Sequence, residues 1–235
     1  AMWLLHCKDF PRTAFNVNIE GTFNVLEACV RHNIKKLIYS SSASVYGDAV
    51  QVPMTEEHPF LNKNFYGSTK IAGEAMCRAY FDRYGLDDVG LRYMNVYGPH
   101  QDQTAAYTGV IPIMLNKIDE NEPPIINGDG SQAYDFIYVE DVIEIFLKTM
   151  EKIQKQKNYR IFNLGTGLSV SINSLYHLIK ENIGANSKVI RKKLDKFDPK
   201  KSCGSNKNII KFLKLKKYNF TKLENGLEMT INYFL

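Results

Sequence analysis

What this sequence has little of narrows its class first. Only four of its 235 residues are cysteines, Cys7, Cys29, Cys77 and Cys203, and no two stand in a CxxC or zinc-type spacing. That excludes a disulfide scaffold and leaves no metal site to expect. Without a secretion signal, reduced thiols are the expectation. No run of 18 or more apolar residues occurs, so a membrane-spanning helix is not expected. The opening AMWLLHCKDF has neither a basic segment nor a long apolar stretch. A signal peptide is therefore not expected, and a cytoplasmic location is. Internal repeats and low-complexity linkers are also missing. What remains is a chain with 44% apolar residues, an ordinary composition for a packed globular protein.

The charge is uneven. Residues 180 to 235 hold 14 Lys/Arg against 5 Asp/Glu, whereas the rest holds 16 against 20. A basic tail can signal nucleic acid, but these lysines are scattered over predicted helices and loops with no aromatic interleaving. They read as a solvated surface, and no nucleic-acid partner is expected.

Apolar spacing predicts a helix over 12–31, through Phe15, Ile19, Phe23, Leu26 and Val30. A short buried strand follows at 36–41, then a loop with Pro53 and Pro59. A second helix is predicted at 66–83, ended by Tyr84-Gly85, and a strand at 89–96 is closed by Gly98-Pro99. This alternation predicts parallel strands with crossover helices, an α/β fold. Beyond residue 100 the rhythm loosens. Helices are expected at 109–119, 140–153, 171–183, 205–213 and 221–233. Strands are expected at 124–127, 135–139, 160–164 and 187–191.

One absence cuts across this pattern. A doubly wound nucleotide-binding sheet normally opens with a strand, a glycine-rich turn and a helix whose N-terminus holds a pyrophosphate. Neither GxGxxG nor GxxGxxG occurs in this sequence. Gly128/Gly130 and Gly165/Gly167 are GxG pairs without a third glycine at the right offset. Either the fold binds no dinucleotide, or it is such a fold without its glycine-rich opening.

The motifs favour the second. Tyr66-Gly67-Ser68-Thr69-Lys70 is a YxxxK on a predicted helix, so phenol and ammonium share one face. A unit charge at about 4 Å, with an effective dielectric near 20, contributes about 4 kcal/mol. That is about three pKa units, enough to bring a phenol from about 10 towards 7 and make it a general base. Tyr39-Ser40-Ser41-Ser42-Ala43-Ser44 closes the preceding strand. It lies at the carboxyl end, where ligands bind open α/β sheets.

SSSASVYG followed by YGSTK resembles the extended short-chain dehydrogenase/reductases, and within them the UDP-sugar 4-epimerases. The resemblance spans the whole chain but lacks the family's N-terminal glycine-rich segment. It implies a Rossmann-like parallel sheet with helices on both faces plus a smaller C-terminal α/β substrate lobe. Residues 1–108 would be the C-terminal part of the NAD-binding domain. Residues 109–235 would be mainly the nucleotide-sugar lobe, with elements returning to the sheet. The same resemblance implies NAD as cofactor, a UDP-sugar as substrate and a homodimer paired through the helices at 12–31 and 66–83. Apolar residues beyond one stripe on those helices are Ile19, Val25, Met76 and Tyr80.

Residue by residue, the resemblance gives Ser42 the place of the catalytic serine, Tyr66 that of the base and Lys70 that of its partner. Asn18, in NIEGT, would fall near the cofactor. In LRYMNVYGP, Tyr93 and Met94 would flank the nicotinamide and Asn95 would contact the substrate phosphate. Ser44 would line the substrate site beside Ser42. GDGSQAYDFI departs from the family pattern, because Tyr134 stands where many members have a diphosphate-gripping arginine. Arg191 or Lys193 would then supply the charge. Related dehydratases place an acidic residue just after the catalytic hydroxyl residue. Here Ala43 and Ser44 stand there and cannot exchange protons, so epimerisation is expected over dehydration. Lys201 or Ser202 falls where the family gauges an N-acetyl group, which leaves the choice of sugar open.

Overall fold

The computed structural model describes residues 4–102, 109–153, 160–194, 200–216 and 218–235. The chain enters through helices α1 (Leu4–Asp9) and α2 (Pro11–Ala14), a π-helical stretch (Phe15–Glu20) and α3 (Gly21–Arg31). Strand β1 (Lys36–Ser42) leads through a 3₁₀ turn (Ala43–Val45) and a long loop to α4 (Phe65–Tyr84). Asn64 caps α4, its side chain accepting from the Gly67 amide at 2.7 Å. Gly85 ends the helix in a left-handed conformation, φ 66°.

Strands β2 (Asp87–Tyr93) and β3 (Asn95–Tyr97) follow. A single strand over 89–96 was expected, but the chain changes sheets at Met94. The Met94 amide still bonds Leu164, whereas the Asn95 amide bonds Asp135 in the other sheet. Next come α5 (Val110–Asp119), β4 (Ile125–Asn127), β5 (Ala133–Tyr134), β6 (Phe136–Tyr138) and α6 (Val139–Lys152). Of the strand expected at 135–139 only Phe136–Tyr138 forms; a separate β5 precedes it across Asp135, whose buried side chain turns into the protein, and Val139 already begins α6. Then follow β7 (Arg160–Leu164), β8 (Val170–Ser171), α7 (Ile172–Ile183), β9 (Ile190–Lys192), β10 (Lys201–Ser202), α8 (Lys207–Leu213) and α9 (Leu223–Phe234). The two-residue strands β8 and β10 are too short to leave a periodic signal.

The main sheet has the order β1-β2-β7, all parallel, so β7 returns to it from beyond residue 109. Side chains alternate across this sheet, and each face has its own helices. On one face Leu37 and Tyr39 join Leu26, Cys29, Cys77, Tyr80 and Leu86 beneath α3 and α4. On the other, Ile38, Val89 and Leu91 pack with Ile145 of α6 and Ile209 of α8. The fold is therefore α/β and Rossmann-like. A second core around α5, α7 and α9 holds Met114, Leu115, Leu175, Ile179 and Leu227. β1 is an edge strand with no further partner among the described residues. All four cysteines are buried free thiols. Among the described residues, no helix is long and apolar enough to cross a membrane.

Two residues expected on an exposed helix surface are not there. Tyr80 is buried against α3, where its hydroxyl donates to Glu27, and Met76 packs against the same core. Val25 is exposed, together with Phe15, Val17, Phe23 and Tyr84.

Candidate active site

The site forms where the carboxyl ends of β1 and β2 meet the first turns of α4 and α5. Ser42 is the last residue of β1, and its Oγ accepts from the Ser44 amide at 3.1 Å and donates to Ser44 Oγ at 3.2 Å. That local capping turns the chain sharply and leaves the hydroxyl at the strand's tip. Tyr66 and Lys70 project from the first two turns of α4. A Cβ at Gly67 would stand 2.4 Å from the Ser44 carbonyl oxygen. Only glycine lets α4 approach the 42–44 turn this closely, and this approach brings Tyr66 to Ser42.

A cavity of about 420 Å³ is lined by Ser42, Tyr66, Tyr93, Met94 and Asn95, and by Gly109 to Pro112 at the start of α5. A smaller one of about 160 Å³ continues past Ser42 to Ser44, Tyr93, Asn95, Tyr134 and Ser202. Asn95 is anchored by its amide, which donates to the Asp135 carbonyl at 3.1 Å. Tyr93 OH lies 3.5 Å from Ser40 Oγ.

Lys70 is buried, 6% exposed, and donates from Nζ to the Ser40 carbonyl at 2.8 Å. Its Nζ stands 5.5 Å from the Tyr66 ring centre and 5.5 Å from that of Tyr39. A cavity of about 340 Å³ beside the edge of β1 brings Lys70 together with Asn18, Tyr39 and Ser40. The Asn18 amide donates to Thr69 Oγ1 at 3.1 Å, which seats it against α4.

The electrostatics differ from expectation at one point. Burial pushes the Tyr66 phenol above its ordinary value, the Cys7 thiol adds to this, and a hydrogen bond with Ser42 opposes it. Burial also pushes the Lys70 ammonium down. The expected fall of Tyr66 towards 7 through Lys70 alone is not met. The ammonium gives one hydrogen bond to Ser40 and sits over the ring rather than at the hydroxyl, so desolvation dominates.

The structure thus brings together Ser42, Ser44, Tyr66, Lys70, Tyr93, Met94 and Asn95, with Asn18 behind Lys70 and Tyr134 at the far wall. It does not bring Arg191. That side chain is exposed on β9, where it donates to Asn173 Oδ1 at 3.0 Å and faces the Gly128 carbonyl at 3.5 Å. Neither it nor Lys193 lines either cavity. The β4–β9 pairing holds Arg191 on the outer edge of the second lobe. Among the described residues lining the two cavities at Ser42, Lys63 is the one cation, and Asp48 binds it at 3.0 Å.

Sequence reasoning missed three groups. Asp135 is completely buried and accepts from the Thr166 amide and hydroxyl and from the Gly167 amide at 2.7–3.0 Å, which fixes the turn behind Met94. The start of α5 follows no motif. Glu74 and Arg92 form a buried ion pair at 2.8 Å. Glu74 was legible in principle, because it continues the Tyr66, Lys70 spacing by one more turn.

A profile described as the NAD dependent epimerase/dehydratase family matches residues 6–165. A UDP-glucose 4-epimerase of Halalkalibacterium halodurans is 31% identical over 186 residues, 74% of this chain and 56% of that protein. A dTDP-D-glucose 4,6-dehydratase of Mus musculus is 34% identical over 169 residues, 70% of this chain and 46% of that protein. Among solved structures, a UDP-N-acetylglucosamine 4-epimerase of Methanobrevibacter ruminantium M1, in complex with UDP-N-acetylmuramic acid, superposes with a TM-score of 0.91. It is 32% identical, over 99% of this chain and 73% of that one. The chain spans about half the length of the curated relatives it matches.

Proposed function

Because this chain belongs to the NAD dependent epimerase/dehydratase family, we propose that its site serves the 4-epimerisation of a UDP-sugar, with Tyr66 as the base. The observation that carries this reading is the meeting of Ser42 and Tyr66 at one cavity, with Lys70 Nζ 5.5 Å from the Tyr66 ring centre and no acid following Ser42. As phenolate, a form that Lys70 and a bound, positively charged nicotinamide would favour against burial, Tyr66 accepts the proton of the sugar hydroxyl, and Ser42, hydrogen-bonded to Tyr66, orders that hydroxyl. Bound NAD would take up and return the hydride at the same carbon, through a transient 4-keto sugar.

The residues present fit one end of that cofactor. Lys70 has two ammonium protons beyond the one given to Ser40, and Asn18, Tyr39 and Ser40 complete a polar wall beside it. These would face the ribose, and Tyr93 and Met94 the nicotinamide. The sequence contains no glycine-rich turn for the pyrophosphate. In the second lobe, Asn95, Tyr134 and the N-terminal turn of α5 would receive the diphosphate, the helix dipole standing in for the absent arginine. The boundary between the two lobes falls near residue 108.

Epimerisation is favoured over dehydration because Ala43 and Ser44 offer no proton-transferring group. Two carboxylates line the cavities, Asp48, held by Lys63, and Asp102, and neither follows Ser42 directly in the chain. The test is an NMR assay of UDP-glucose and UDP-N-acetylglucosamine with the chain and NAD. Appearance of the C4 epimer supports the reading, and a 4-keto-6-deoxy product overturns it.

The cavities at Ser42 and Asn95 would suit a UDP-sugar whether or not turnover follows, which leaves one second reading, a non-catalytic module that binds the UDP-sugar alone. A homodimer would use the exposed Phe15, Val17, Phe23 and Val25. Sedimentation of Val25→Asp against the unaltered chain tests it, and an unchanged mass would remove this surface from the interface.

A further inference from the structure

Directly beneath the site lies a buried polar chain that the reaction itself does not use. Glu74 is one helical turn beyond Lys70 on the same face of α4, where an acid and a lysine ordinarily pair. Here they do not. Glu74 Oε1 accepts from Arg92 Nε at 2.9 Å and from the Ser41 hydroxyl, and Oε2 accepts from Arg92 Nη2 at 2.8 Å. Both oxygens are engaged, and Lys70 is left to the Ser40 carbonyl. Arg92 is 3% exposed and Glu74 5%, so neither charge is lost to solvent.

The pair also sits at a junction. Ser41 precedes Ser42, and Arg92 precedes Tyr93, on neighbouring strands whose partners are in register as Ser41↔Arg92 and Ser42↔Tyr93. Arg92 Nη1 donates to the Tyr46 hydroxyl at 2.8 Å and to the Glu56 carbonyl at 3.0 Å. The Tyr46 hydroxyl in turn donates to Asn163 of β7 at 2.5 Å. One guanidinium thus ties α4, all three strands of the sheet and the loop after β1. Its charge is further screened by the rings of Tyr46 and Phe60, 4.8 and 5.0 Å away.

We propose that Arg92, with Ser41, is a positioning residue that sequesters Glu74 from Lys70, so that the ammonium stays free to face Tyr66 and the cofactor side of the site. The proposal rests on the reading of Lys70 as the partner of Tyr66. Freed of Arg92, the Glu74 carboxylate has two cations one turn away on its own helix, Lys70 before it and Arg78 after it; Arg78 is exposed and pairs with Asp82 at 2.9 Å, so the buried Lys70 would turn from Ser40 towards Glu74. The other titratable groups facing this pair are Cys7 from α1, Tyr66 on α4 itself, Tyr39 from β1 and Cys77 one turn beyond Glu74.

The experiment is an NMR titration of lysine labelled at Nζ, with the Lys70 signal assigned by its loss in Lys70→Met. In the unaltered chain Lys70 titrates below an ordinary lysine. In Arg92→Gln its midpoint should rise by about one pH unit or more as Glu74 becomes its counter-ion. In Glu74→Gln/Arg92→Gln it should return to the original midpoint. A residue that merely holds the fold together would lower stability and leave Lys70 where it was. An unmoved Lys70 in Arg92→Gln, or a double variant that fails to restore it, overturns the proposal. Should Arg92→Gln not fold, Ser41→Ala removes the other donor to Glu74. It should shift Lys70 in the same direction by less, and no shift there overturns the proposal equally. Absence of epimer formation by the unaltered chain, with the Lys70 shifts as expected, would instead sink the epimerase reading and leave this inference standing.

Discussion

Lys70 donates to the Ser40 carbonyl at 2.8 Å, which ties helix α4 to the strand that carries Ser42 two residues later. The lysine therefore acts twice, as a strut between two elements and as the charge nearest the Tyr66 ring. Lys70→Met keeps the stem and removes both roles. Turnover should fall by about 10²–10⁴-fold, the usual span for losing assistance to a general base. Progress curves on UDP-glucose measure it, and a loss under threefold would show that the ammonium is dispensable.

Gly67 should be intolerant of a side chain. An added methyl would meet the Ser44 backbone, which cannot swing aside as a flexible side chain would. Gly67→Ala is expected to cost about 1–3 kcal/mol in urea unfolding, as overpacking does. Turnover should fall further than stability alone explains, since Tyr66 moves away from Ser42. Equal stability in the two chains would show that α4 has room to shift.

Stability should fall as pH rises through the weakly acidic range. Asp88 is fully buried at the start of β2, and neither carboxylate oxygen has a hydrogen-bond partner. Burial, with Asp87 beside it, raises its carboxyl from 3.8 to about 7, against the pull of Arg160 and Arg78. The folded chain keeps a proton that the unfolded chain gives up near 4. Stability therefore declines between about pH 4 and pH 7 and levels off above that. Asp88→Asn should flatten this slope and gain about 2–4 kcal/mol at pH 8 relative to pH 4. Parallel pH profiles for the two chains would contradict it.

Calorimetry separates the two ends of the site. The residues proposed for a nucleotide-sugar line two adjoining cavities, whereas a dinucleotide would find a wall for its ribose and, within this sequence, no glycine-rich turn for its pyrophosphate. UDP-glucose should give measurable heats with this chain, and NAD weaker ones, so the turnover assays use NAD in large excess. Tight NAD binding would show that the glycine-rich turn is not needed.

Much of this was legible in the sequence, for reasons that differ by residue. The helix–strand alternation up to Gly98 predicted the parallel sheet, because buried crossover helices and short apolar strands leave strong periodic signals. The i, i+4 spacing of Tyr66 and Lys70 put them on one face, and the serines at a strand's end located Ser42. Neither the break at Met94 nor that at Asp135 was visible, since each depends on hydrogen bonds to residues more than 30 positions away. Arg191 was misplaced because its position follows from a strand pairing, β4 with β9, rather than from local pattern. The effect of Lys70 on Tyr66 was overestimated for a related reason. Spacing fixes which groups share a face, but the Ser40 carbonyl decides where the ammonium points.

The most direct test compares this chain with Tyr66→Phe in NMR-monitored conversion of UDP-glucose in the presence of NAD. Conversion to the C4 epimer by the unaltered chain, reduced at least about 100-fold by Tyr66→Phe, is the predicted result. Equal conversion by both would contradict the assignment of the base, and with it the reading of the site.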